Sequence, residues 1–190
     1  VALFSGRAYN IICELLGSNW YAVAATVALG ALAVCHIVYA FILTAQNRSA
    51  RGANRYEVTA KPEKVEWASQ NMLVLGIIVL LGLALHLFNF WYNMMFAELV
   101  GMRTVLEPTD GFGLIRATFQ SKVYVILYVI WIVALWYHLS HGFWSAMQTI
   151  GINGKVWFNR WKVIGTVYVT LLMLAFLVVV LAFAFGCAPS

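Results

Sequence analysis

The chain has 190 residues, 63% of them hydrophobic and only 10% charged, with a formal net charge of +5. Soluble domains carry about a quarter charged residues, and a chain of this size cannot bury so much apolar surface on its own, so a soluble globular protein is excluded. The basic residues lie in segments between apolar runs, which is no nucleic-acid signature, and Cys13, Cys35 and Cys187 show neither metal spacing nor the even count of a disulfide framework.

Residues 1–18 mix apolar residues with Arg7, Asn10 and Glu14, the pattern of a short interfacial or re-entrant segment, and Gly17-Ser18-Asn19 breaks it. No charge occurs from Leu15 to Asn47, and about 20 apolar residues cross a bilayer, so a first span is predicted over about 20–45. Trp20 and Tyr21 mark its interface. A polar, basic segment follows from Arg48 to Glu66, with Pro62 suited to the first turn of a new helix. The second span is predicted over about 69–96. Glu98 to Lys122 is a mixed loop broken by Gly101, Pro108, Gly111 and Gly113. The third and fourth spans fall at about 123–148 and 163–185, joined by a short loop with Lys155, Arg160 and Lys162. The expected fold class is all-α, an integral membrane helical bundle of four visible spans in one domain, residues 1–190.

Lys and Arg in loops set orientation. The loop at 46–68 carries five basic residues and that at 151–162 three, whereas the N-terminal segment has only Arg7. Both basic loops are therefore expected in the cytoplasm.

That topology converts histidine positions into depths. His36 falls about 14 Å and His138 about 15 Å from the inner ends of two parallel helices. Two imidazoles at one depth on different helices can hold an iron between them, as bis-histidine haems are held in bundles. His86 lies about 26 Å from the inner end and needs another partner. Small residues flank the three: Ala33 and Ala40 around His36, Gly82 before His86 and Gly142 after His138, gaps that a porphyrin edge would need. His138, His141, Ser145 and Gln148 form one polar stripe at helical spacing, and polar groups inside a span must face a partner. His141 is expected as a haem-propionate, water or quinone contact rather than a ligand.

The stretch His138-Leu139-Ser140-His141-Gly142-Phe143-Trp144-Ser145-Ala146-Met147-Gln148-Thr149-Ile150-Gly151 resembles the membrane-anchor cytochrome b subunit of succinate dehydrogenase and fumarate reductase, of the single-anchor, five-helix, two-haem type found in Bacteroides-like bacteria. Cys35-His36-Ile37-Val38-Tyr39-Ala40 and Leu85-His86-Leu87-Phe88-Asn89-Phe90-Trp91 support the resemblance, which covers essentially the whole chain. It implies a multi-pass protein of the bacterial inner membrane that fixes a flavoprotein and an iron–sulfur subunit to the cytoplasmic face. Its implied role is to carry electrons through haem b to or from a quinone, menaquinone in expectation. The succinate or fumarate chemistry would belong to another subunit, so no catalytic residue is expected here, and no glycine motif for flavin occurs. The implied proximal ligands are His36 and His138. His86 is the implied distal ligand, with its partner on a first helix that this chain lacks, so a single haem is the expectation for residues 1–190.

Quinone chemistry moves protons, so its site needs a titratable or hydrogen-bonding group near a haem edge. Asn89 and Asn93 continue the His86 face, and Glu14 lies in the interfacial segment that this surface would meet. This outer site is favoured over the inner stripe of His141, Ser145 and Gln148. The alternative from another class is a haem-free membrane transporter or scaffold with a histidine-lined polar path. Such relays favour acidic partners, and the spans contain no Asp or Glu.

Overall fold

A computed structural model of the chain describes residues 1–17, 19–51, 66–152 and 154–188. The elements in chain order are α1 (Gly6–Leu16), α2 (Trp20–Arg51), α3 (Trp67–Gln70), α4 (Met72–His86), a π-helical segment (Leu87–Phe96), α5 (Ala97–Val100), α6 (Gly111–Phe119), α7 (Lys122–Thr149) and α8 (Lys155–Ala184). No strand occurs among the described residues. Four helical stretches are long and apolar enough to cross a membrane: Trp20–Ala50, Met72–Val100, Lys122–Thr149 and Lys155–Ala184. In hydrocarbon every backbone N–H and C=O must be satisfied within the segment, which is why these uncharged runs are helices. The chain is thus an all-α, multi-pass membrane protein. Most of the basic segment that separates the first two spans, including Arg55, Lys61, Pro62 and Lys64, lies outside the described residues.

The bundle is organised on α7. Along α8, Tyr128 and Ile132 bury against Val169 and Met173, and Trp136 Nε1 donates to Thr170 Oγ1 at 2.9 Å. Gly165 is the close-approach point of this pair, since a Cβ there would collide with the Phe143 ring. On another face α7 receives α4. Leu75 packs with Ala134, and Trp131 Nε1 donates to the Val79 carbonyl at 3.0 Å.

The second span departs from a plain helix. Asn71 interrupts it after α3, and the backbone widens to a π-helix immediately after His86. Gly101 ends the stretch at φ 64°, with the Met102 N–H returning to the Ala97 carbonyl at 2.9 Å, the left-handed terminus that glycine tolerates best.

The loop expected over Glu98 to Lys122 contains a helix, α6. Asp110 caps it by accepting from Gly113 N at 2.9 Å and also accepts from Asn10 Nδ2 at 2.8 Å. Asn10 Oδ1 in turn accepts from Phe112 N at 2.8 Å. This reciprocal cap ties α1 to α6, and Phe112 stands against Phe183 with ring centroids 5.2 Å apart. Together α1 and α6 close one end of the bundle.

Candidate functional site

α2 stands apart from the compact part of the bundle. Val27, Leu29 and Leu32 along it are each more than 60% exposed, and none of its apolar residues except Ala22 is buried. Its one ring contact with another span is His36, whose ring faces His138 of α7 with centroids 6.1 Å apart and planes at 83°. Two iron–imidazole bonds of about 2 Å each, plus the ring radius at either end, span about 6 Å. The two rings therefore stand at axial-ligand distance across an otherwise unpacked gap.

Further observations bear on what fits that gap. His138 Nδ1 is buried without a hydrogen-bond partner. A Cβ built at Gly142, one turn from His138, would meet nothing within 4 Å. Gly76 lets α4 approach His138, with the ring carbon Cε1 3.8 Å from where a Cβ would stand. No group of three or more His, Cys, Asp or Glu gathers among the described residues. Zinc takes three or four protein ligands, whereas a porphyrin brings four nitrogens and asks the protein only for axial ones. The residues present fit a haem.

His86 is placed differently. Its ring packs against Phe90, Trp131 and Tyr128 at centroid distances of 5.1, 5.4 and 6.3 Å, and its Nδ1 is buried and unpartnered. No second histidine faces it among the described residues. The gap expected at Gly82 for a porphyrin is filled by protein, because a Cβ there would run into the Trp131 indole. Gly82 is a helix-packing glycine, and the expectation for it is corrected.

The set expected at the α6 end is divided. Glu14 lines an open cleft of about 340 Å³ with Arg7, Asn10, Ile11, Thr109 and Asp110. Asn89 is buried and donates to the Tyr128 hydroxyl at 3.3 Å. Asn93 spends its amide on the Phe88 and Asn89 carbonyls of its own helix. Neither asparagine lines the Glu14 cleft. Burial, and then the neighbouring Cys13, push the Tyr9 phenol in α1 up to about 12, so it stays a protonated donor.

At the opposite end the polar stripe of α7 separates. His141 Nδ1 lies 3.1 Å from Glu66 Oε2, and the other carboxylate oxygen accepts from Lys162 Nζ at 2.6 Å. Burial raises the Glu66 carboxyl, but the hydrogen bonds and charges of Lys162 and His141 outweigh it, so the net position is below the ordinary value. Lys162 also sits over the Trp144 ring, 4.4 Å from its centroid. Ser145 and Gln148 have no part in this cluster. Sequence reasoning missed Glu66, Lys162 and Ser140 here. Glu66 and Lys162 are distant in the chain from the stripe they join, and Ser140 lies off the three- and four-residue steps that link His138 to His141, Ser145 and Gln148.

Fold and site together define a class: a multi-pass helical membrane protein with two facing histidines between its spans. No family model, curated protein or solved structure matches the chain.

Proposed function

We propose that this chain is a haem b-binding membrane anchor of a succinate dehydrogenase or fumarate reductase complex in a bacterial inner membrane, linking an iron–sulfur subunit to a membrane quinone. The observation that carries the haem part is the His36–His138 pair, 6.1 Å between ring centroids on two helices that otherwise leave a gap. The complex and its substrate rest on the sequence resemblance of the 138–151 stretch. His36 and His138 are the residues that would hold such a haem, through their ring nitrogens. Gly142 leaves room beside them for the macrocycle. Bound there, the haem supplies one-electron transfer. The basic loops 46–68 and 151–162 form the face on which the iron–sulfur subunit docks, with the flavoprotein beyond it.

The test is a reduced-minus-oxidised absorption spectrum of the purified chain. A low-spin b-type signal is expected. His36→Ala and His138→Ala should each abolish it, whereas His141→Ala should retain it. A wild-type chain without that signal would leave the haem-free transporter or scaffold in its place.

A further inference from the structure

Helix α1 has three faces, and only one of them packs. Gly6 stands against the Phe112 ring and Cys13 against Gly111, so these positions, two turns apart, seat α1 on α6. The opposite face is apolar and bare: Phe4, Ile11, Leu15 and Leu16 are each more than half exposed. Between these faces Arg7 and Glu14 line the open cleft of about 340 Å³ together with Asp110. Neither the Arg7 guanidinium nor the Glu14 carboxylate has an ion pair or hydrogen bond among the described residues. The Asp110 carboxylate accepts only from neutral donors, Asn10 Nδ2 and Gly113 N, so no cation balances it there. Trp20 and Tyr21, which open the next helix, are exposed aromatic residues of the kind that settle at headgroup level. An amphipathic helix beside them lies in the interface, its apolar face among acyl chains and its charges among headgroups.

Those features specify the ligand's chemistry. Arg7 and Glu14 stand about 10 Å apart along the helix axis, so the ligand must offer opposite charges a few atoms from each other. A phosphate suits the planar guanidinium fork of Arg7. A group that donates N–H suits the Glu14 carboxylate. The ligand also carries hydrocarbon, because Ile11 lines the same cleft and continues into the bare face of α1. Phosphatidylglycerol has the phosphate but brings hydroxyls, not a cation, to the two carboxylates. A choline headgroup brings a cation with no N–H to donate. We propose that this cleft holds the headgroup of phosphatidylethanolamine. Its phosphate lies on Arg7, its ammonium donates to Glu14 with Asp110 adding negative charge, and its acyl chains run along Ile11 and Leu15. The lipid fixes α1 and the α6 end of the bundle at the membrane surface. This assignment does not depend on haem, and it gives Glu14 a lipid partner in place of the quinone expected there from sequence.

The experiment is native mass spectrometry of the whole purified chain, stripped of lipid in detergent. It is titrated in turn with phosphatidylethanolamine, phosphatidylcholine and phosphatidylglycerol of one acyl composition. Phosphatidylethanolamine should be retained about fivefold more tightly than either of the others, the upper end for an exposed charge pair. Glu14→Gln should remove most of that preference and leave phosphatidylglycerol retention unchanged or raised. Arg7→Gln should weaken all three lipids. Both side chains are exposed and unpaired, so neither variant should lower the melting temperature. A phosphatidylethanolamine with a diazirine near the top of one acyl chain should crosslink to the Ile11–Leu16 peptide. Equal retention of the three lipids overturns the proposal, as does a preference for phosphatidylethanolamine that survives Glu14→Gln. Crosslinks confined to α8 also overturn it. Displacement of the crosslink by a short-chain naphthoquinone but not by excess phosphatidylethanolamine would give the cleft to the quinone and overturn it as well.

Discussion

An imidazole inside an apolar bundle is costly until its nitrogens are partnered, and the four histidines within the spans have different surroundings. His138 meets His36 across a gap, His141 meets a carboxylate, and His86 meets three aromatic rings. His86→Ala should therefore leave the haem content of residues 1–190 unchanged while His138→Ala removes it, measured as pyridine haemochrome per chain. A halved content in the His86 variant would give His86 an axial role in this chain. The Glu66 cluster makes a separate prediction. Its carboxyl sits below the ordinary value in the folded protein, so its contribution is complete above the ordinary carboxylate range and fades as pH falls through the lowered folded value. Wild type should melt above Glu66→Gln at pH 7, and the two should converge on acidification. With the Glu66 side chain 41% exposed, the gap should be no more than about 4 °C. A gap that widens at low pH would reverse the assignment.

Helix contacts in a membrane depend on close packing, because lipid is as apolar as the helix faces. Gly82 and Gly165 are where that packing is tightest, each facing a large ring from α7. Gly82→Leu should force Trp131 out of its place, break its bond to the Val79 carbonyl and lower stability by about 1–3 kcal/mol, read as a fall in melting temperature. Gly142→Leu faces open space and should spare the melting temperature while lowering haem content. Equal thermal losses in both variants would contradict this difference. The spans themselves were legible in the sequence, since absence of charge over 20 residues needs no tertiary information. α2 runs to Arg51 rather than about 45 because its polar end continues the helix without a breaker. α6 was not legible among four breakers, because its cap is Asp110 and the partner that fixes it, Asn10, is 100 residues away. The π-helical turn after His86 has no period to betray it in an apolar run. Within the site, equal depth on parallel helices brought His36 and His138 together on paper. Depth alone says nothing of azimuth, so it could not show that His141 turns to Glu66 while Ser145 and Gln148 do not.

At the scale of the whole molecule the two ends differ in charge. Arg48, Arg51, Arg55, Lys61, Lys64, Lys155, Arg160 and Lys162 fall at the His141 end by sequence, whereas Arg7, Arg103, Arg116 and Lys122 fall at the end closed by α1 and α6. Cytoplasmic loops carry the excess of Lys and Arg, and acidic residues contribute little. By that rule eight against four is the count expected of an inward-facing His141 end, and the structure joins pieces of that end, with Glu66 beside Lys162 and Trp144 beside Phe158. The two apolar ends are anchored unequally as well. Trp157 and Trp161 pair at the basic end, with Arg160 5.2 Å from the Trp157 ring, the amphipathic mixture that settles at a headgroup interface. Orientation decides the partner, because an iron–sulfur subunit in the cytoplasm can dock only on a face that is inside. In a background lacking Cys13, Cys35 and Cys187, Thr109→Cys should react with a membrane-impermeant maleimide in intact cells. Lys155→Cys should react only after the membrane is opened. The opposite pattern would put the basic face outside and remove the docking surface from the proposed complex, leaving the histidine pair to be explained without it.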